Sequence, residues 1–280
     1  MLTFFADKPN SITYMKSKFI AGVLIFVIFS GFSFQKFPNS KFRPPGTVKI
    51  VENFFMDEGE LTNMDWREYL YWLKKEHGVG SQVYISAIPD TTVWFDYHDH
   101  QYGDPFGTLA SAYFNHPAFN EYPIVGISHD QAVKYCQWRT DRVKEMLSLR
   151  PDGDEFPNFE YRLPTKTEWE LVANTGYKEL SKKLKRQIKK DPEKILYNLK
   201  REFKDENSTT HFTAPSRSYL PNKHGIYHLF GNVAEMVAEK GIAKGGSWEN
   251  DYDEVMSGKD FTYDKPMSWL GFRCVCVILE

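Results

Sequence analysis

Cysteine is scarce in this chain: 280 residues carry three, Cys136, Cys274 and Cys276. An odd count excludes a fully paired disulfide framework, and three buried apolar side chains are the ordinary state of such residues. Spacing alone selects no pair among them. Excess charge of either sign is also missing. The 35 Lys and Arg nearly balance the 37 Asp and Glu, a formal net charge of −2, which gives no global drive toward nucleic acid or anionic lipid. No internal repeat, low-complexity tract, phosphate-cradling glycine loop with lysine or Ser/His/Asp order is present. What the chain does have is 41% hydrophobic and 16% aromatic content, enough for one large core. Its 18 Gly and 15 Pro are spread along the length, which suits a loop-rich α+β domain.

The N-terminus departs from that composition. Lys16 and Lys18 precede an apolar run from Phe19 to Phe34, broken only by Gly22, Ser30, Gly31 and Ser33. A basic start, a short apolar stretch and small residues at its end read as a secretory signal peptide. The run falls short of the roughly 20 apolar residues of a membrane span, and a tilted signal anchor is the alternative. Residues 1–34 are therefore assigned to this segment, with 1–14 readable as an extension upstream of a true start at Met15. No cysteine near the end of the run supports a lipoprotein anchor. Export to the periplasm or outer cell envelope follows, with membrane contact only through this segment if it stays uncleaved. Residues 35–46 form a linker and 47–280 the domain.

Within the domain, Val48–Val51 reads as a strand. Thr62 or Asn63 caps a helix that carries Trp66, Tyr69, Leu70 and Leu73 on one face and stops at Gly78. Ser128 with Gln131 is a capping box opening a helix to about Leu147, whose buried side is Ala132, Tyr135, Cys136, Val143 and Met146. Thr165 with Glu168 is a second box, starting a helix with Trp169, Leu171 and Val172. Beyond Ile242 the pattern is short strands and tight turns. Residues 178–206 stand apart, with eleven Lys/Arg against six Asp/Glu and Leu180, Leu184, Ile188, Ile195 and Leu199 at helical intervals. A solvated amphipathic insertion interrupted at Pro192 accounts for this; an arm for an acidic partner is the other reading.

Glycines and aromatics recur toward the C-terminus in Gly231-Asn232-Val233-Ala234-Glu235, Gly245-Gly246-Ser247-Trp248 and Gly271-Phe272-Arg273. Earlier blocks are Gly59-Glu60-Leu61-Thr62-Asn63, Tyr122 to Ser128 with Ala132, Tyr135-Cys136 and Trp138, and Tyr161-Arg162-Leu163-Pro164-Thr165 with Glu168-Trp169-Glu170. In content and order these resemble the formylglycine-generating-enzyme, or sulfatase-modifying-factor, domain, over roughly residues 47–280. Ile88 to Trp94, His116-Pro117-Ala118 and Trp138 to Val143 are similar to its gliding-motility and secretion-machinery lipoprotein branch. The resemblance implies an α+β fold of the C-type-lectin-like kind, low in regular structure.

It also implies a site. Catalytic members hold copper(I) with two cysteine thiolates, soft ligands for a soft metal. The matching positions here are Asn250 and Val255, so copper and the family's chemistry are not expected. The resemblance pairs Cys136 with Cys274 as a structural disulfide, leaving Cys276 free. It carries a calcium site onto the Gly231 and Val233 carbonyls and the Glu235 carboxylate, with His228 as a poor fourth ligand; backbone amides are the other partners open to Glu235. No other cofactor is assigned. His98, Asp99 and His100 place two imidazoles on one strand face, without a third ligand at motif spacing. Asp251, Asp253, Glu254, Asp260 and Asp264 crowd the ground of the groove, able to hold a cation or a basic peptide, or simply to face water.

The leading expectation is an exported, non-catalytic component of the cell envelope, with envelope or secretion-machinery proteins as partners and no nucleic acid. One alternative is an oxidoreductase with altered metal chemistry in the same groove. Another is a carbohydrate- or peptide-binding lectin-like module, stacking ligand on Trp248, Tyr252 and Trp269 beside Asp251.

Overall fold

A computed structural model describes residues 42–95, 108–150, 156–175, 182–190, 196–200 and 212–279. Two small sheets and a helix pair make up the domain. The first sheet runs β1 (Thr47–Val51), β2 (Phe54–Asp57), β8 (Val275–Ile278), β3 (Phe159–Arg162), antiparallel throughout. The last strand of the chain thus lies between the second and the third, which ties both ends of the domain into one sheet. Its β2 is buried at every position because apolar clusters cover both faces. Phe55 faces one cluster with Cys274 and Cys276, while Phe54 and Met56 face the other with Val275, the period-2 alternation of a strand.

The second sheet runs β6 (Phe261–Thr262), β5 (Ile242–Lys244), β4 (Ala234–Met236), β7 (Leu270–Gly271), and only the β4–β7 pair is parallel.

Two long helices pack beside these sheets. Helix α1 (Asn63–His77) begins at a capping box between Thr62 and Asp65 and ends at Gly78. Helix α4 (His129–Ser148) begins at the Ser128–Gln131 box. Between them lie the short α2 (Gln82–Ile85) and α3 (Thr108–Ala112). Aromatic rings join α1 to α4: Trp66 is fully buried, stacks on Tyr135 at 5.5 Å and donates its indole N–H to Ala87 O at 3.0 Å. Helix α4 is then fastened to β3 through the Thr140 hydroxyl, which accepts the Tyr161 N–H at 2.8 Å. Met146, expected on the buried side, is 47% exposed. Leu147, one turn after Val143, takes the buried place at 5% exposure, while Met146 is turned off that face toward a cavity between α1 and α4.

Helix α5 (Lys166–Ala173) starts at the Thr165–Glu168 box, buries Trp169 and Val172 and leaves Leu171 exposed. Helix α6 (Lys182–Lys190) lies in the charged insertion, and α7 (Tyr252–Met256) is a single turn between β5 and β6. The His98–Asp99–His100 triplet and Pro192 lie outside the described residues.

Candidate functional site

The ground after Trp248 is built as a turn fixed by side-chain hydrogen bonds. Asn250 Oδ1 accepts both the Ser247 N–H and the Ser247 hydroxyl at 2.9 Å, and Asn250 Nδ2 donates to Glu254 Oε2 at 2.9 Å. Lys259 Nζ closes the chain on Glu254 Oε1 at 2.5 Å. Lys259 first and then Asn250 hold the Glu254 carboxyl below its usual range. Val255, on α7, points the other way and is 1% exposed. It packs against Gly246, where φ is +64° and any Cβ would collide with the Val255 methyl. One position that matches a thiolate is therefore a hydrogen-bonding hub, and the other is apolar core.

The remaining groove candidates disperse. Trp248 is buried at 7% exposure, its ring stacked 6.3 Å from Trp94 in a cluster with Tyr113 and Val125. An exposed stacking platform is ruled out for it, because the turn at Gly245-Gly246 directs the indole inward. Tyr252 and Trp269 are half-buried and lean on the main core, while Asp251 is exposed at the start of α7. The acidic residues do not converge. Asp260 binds Lys166 Nζ at 2.6 Å and the buried Lys244 Nζ at 3.0 Å, Glu254 is engaged as above, and Asp253 and Asp264 face solvent. Among the described residues no three His, Cys, Asp or Glu side chains stand close enough to hold a metal.

Glu235 lies at the centre of a buried network. Its Oε2 accepts the Trp169 indole N–H at 2.7 Å and Arg273 Nε at 2.7 Å, and its Oε1 accepts from Arg273 Nη2. Arg273 also donates to the Asp57 carbonyl at 3.2 Å and the Tyr227 carbonyl at 2.8 Å. A carboxylate so matched by a guanidinium is satisfied without a cation, and a dication beside Arg273 would meet its positive charge. The donors present do not fit calcium. Gly231, at φ +79°, donates its N–H to Gly245 O at 2.9 Å, and a Cβ on it would stand 2.6 Å from Asn198 O, while the Val233 N–H reaches Glu60 Oε1 at 3.4 Å.

Next to this pair lies Glu60, 2% exposed, whose two oxygens each accept from Asn232 Nδ2 at 3.0 Å. Burial pushes its carboxyl well above the usual range, against the opposing pull of Arg273. Asn232 in turn accepts from Asn198 Nδ2 at 3.0 Å and from the Ala214 N–H at 2.6 Å. Sequence reading did not join these residues. Glu60 and Asn232 each stand in a recognised motif, but 172 positions separate them.

His228 is buried, with its Nε2 3.0 Å from the Ser218 hydroxyl, which itself donates to Pro215 O at 2.6 Å. That arrangement keeps the ring neutral with the proton on Nε2. Burial, then Arg273, lowers its pKa to about 3.

The three cysteines are all buried. Cys136 on α4 and Cys274 at the entry to β8 face each other with sulfurs 3.3 Å apart, while Cys276 lies in β8 between Phe55 and Tyr161. A cavity of about 570 Å³ opens between α1 and α4, with Leu61, Trp72, Tyr135 and Trp138 in its walls. Asp57 and Arg139, paired through two bonds of 2.8 Å, also line it. Its size suits a small molecule, but none of the groove candidates borders it.

The order of these blocks decides the family. A model of the Sulfatase-modifying factor enzyme 1-like domain matches residues 24–278. This chain belongs to that family. Its α+β fold is the C-type-lectin-like one of the sulfatase-modifying-factor domain. Inactive C-alpha-formylglycine-generating enzyme 2 of Bos taurus is 25% identical over 170 residues, covering 55% of this chain and 50% of its own. Formylglycine-generating enzyme of Mus musculus is 21% identical over 271 residues, covering 82% of this chain and 68% of its own. The match thus spans about half the length of the inactive relative. Among solved structures, that of CarF is 18% identical with a TM-score of 0.47, covering 81% of this chain and 87% of that one.

Two expectations follow. Glu235→Gln leaves the Arg273 guanidinium buried and uncompensated, and urea unfolding should show a loss of about 3–5 kcal/mol. His228 binds no proton in the folded state until about pH 3, whereas the unfolded chain takes one up near the ordinary value of 6.5. Its contribution is therefore intact above that value and lost as pH falls from there toward 3. His228→Asn, which tolerates the residue's φ of +50°, should gain on the wild type by roughly 2 kcal/mol between pH 7 and pH 4.5 in urea titrations. A constant difference between the two proteins would discard this reading.

Proposed function

We propose that this sulfatase-modifying-factor-like protein is non-catalytic, is exported, and acts as a structural or interaction component of the cell envelope. The observation that carries the reading is the pair at the thiolate-matched positions. Asn250 is bonded on three sides into its own turn and Val255 is sealed against Gly246. Neither offers sulfur to copper(I), which soft ligands hold. The partial match to a relative named inactive agrees with this. The envelope assignment rests on the signal-like segment before the domain and on the likeness of three sequence blocks to gliding and secretion-machinery proteins.

A catalytic assay tests the first part. Purified protein given copper(I), oxygen, a thiol reductant to supply the two further electrons, and a cysteine-containing sulfatase peptide should form no formylglycine above a protein-free control by mass spectrometry. Turnover would overturn the proposal. For export, mass spectrometry of the N-terminus from envelope and cytoplasmic fractions should find the domain in the envelope; full-length chain confined to the cytoplasm would refute it.

An oxidising compartment also permits the Cys136–Cys274 disulfide, which we include in the proposal. Burial holds the Cys274 thiol well above its ordinary range, so the bond would form during folding, before the sulfurs are enclosed. Thiol titration of exported protein, denatured without reductant, should count one free cysteine. Three would show that no bridge forms.

A further inference from the structure

The family's site leaves helix α6 unaccounted for. Lys182, Lys185, Arg186, Lys189 and Lys190 are all exposed, and the nine-residue helix contains no acidic residue. None of these five makes an ion pair or hydrogen bond among the described residues. At 100° per residue they fall within an arc of about 140°, one continuous cationic face roughly 13 Å long. Glu179, Asp191 and Glu193 flank the helix in sequence and lie outside the described residues.

The base of this insertion is firmly held. The stretch expected to be solvated over 178–206 rejoins the core before its end: Leu196, Tyr197 and Leu199 are buried, as is Val172 on the departing side. Ala173, Leu196 and Tyr197 border the same cavity of about 30 Å³, so departure and return are adjacent. Both ends of the segment that carries α6 thus start from one place on the domain.

We infer that α6 is an electrostatic contact for an anionic lipid surface. A flat run of like charges on one helical face matches a plane of phosphate headgroups. Each Lys or Arg held at such a surface adds a comparable increment of attraction, and the effect decays within a Debye length. The protein as a whole carries a net charge of −2 and provides no such attraction, so binding would be local and oriented. The same chain also carries the apolar run Phe19–Phe34 ahead of the domain, which would bring the domain near a bilayer during export. Access of α6 to a bilayer rests on the export reading, whereas its charge attraction is independent of any loss of catalysis.

The test uses the full chain in co-sedimentation with vesicles of phosphatidylcholine alone or mixed with phosphatidylglycerol, across a salt series. The wild type should bind the anionic vesicles, with affinity falling steeply as salt rises. The triple variant Lys185→Gln, Arg186→Gln, Lys189→Gln should bind about a hundredfold more weakly. Both proteins retain the N-terminal segment, so the difference between them reports α6 alone. The exposed positions should leave the melting midpoint unchanged. Equal binding by wild type and variant, or equal binding to neutral vesicles, would overturn the inference. So would soluble polyglutamate that binds the wild type as tightly as anionic vesicles at matched charge, which would point to an acidic polypeptide instead.

Discussion

Arg273 and Glu235 are withdrawn from water almost completely, at 0% and 1% side-chain exposure. A buried pair of this kind is tolerated only when both partners are fully bonded, because each ion alone costs several kcal/mol to desolvate. The surrounding structure meets that requirement. The Trp169 indole from α5 completes the carboxylate, and carbonyls of Asp57 and Tyr227 complete the guanidinium. Strand β4, helix α5, the end of β2 and the approach to β8 are thereby referred to one point. The two sheets share no strand, yet this pair fixes one against the other. The tight turns at Gly231 and Gly245-Gly246 follow, since only close backbone approach brings Glu235 within reach.

Much of the fold is legible in local sequence. The boxes at Thr165–Glu168 and Ser128–Gln131 and the Thr62 cap each act within three residues, so residue type and spacing suffice to place α5, α4 and α1. Burial is less legible at the margin of a face. Met146 stands at the edge of the helical stripe, where Leu147 takes the core position and the methionine is left at a cavity. Trp248 fails in the opposite direction. Its neighbours Glu249, Asp251 and Asp253 make the stretch look like open groove, while the indole turns in toward Trp94. The Glu60–Asn232 and Asp57–Arg139 contacts were out of reach because their energy lies in pairings across 172 and 82 positions. No local pattern encodes such pairings.

The candidate site divides along the same line. Absence of sulfur at Asn250 and Val255 is read directly from the residues. What those residues do instead depends on Ser247, Glu254, Lys259 and Gly246, whose roles emerge only in three dimensions. Glu235 shows the converse. Its motif suggests an oxygen ligand for a hard cation, yet the residue that neutralises it lies 38 positions away in sequence. A carboxylate in a motif states only that a positive partner is needed, and leaves open whether metal or arginine fills the place.

The packing of Val255 against Gly246 bears on how reversible this arrangement is. A cysteine at 255 would fit sterically, since it is smaller than valine, but its sulfur would sit where burial favours the neutral thiol over the metal-binding thiolate. A cysteine at 250 would strip the Ser247 N–H of its acceptor and Glu254 of a donor. Restoring two letters of sequence would therefore not restore a copper site. The turn would first have to exchange its hydrogen-bonded hub and its apolar plug for open, polarisable space, a change of shape that neither substitution makes by itself.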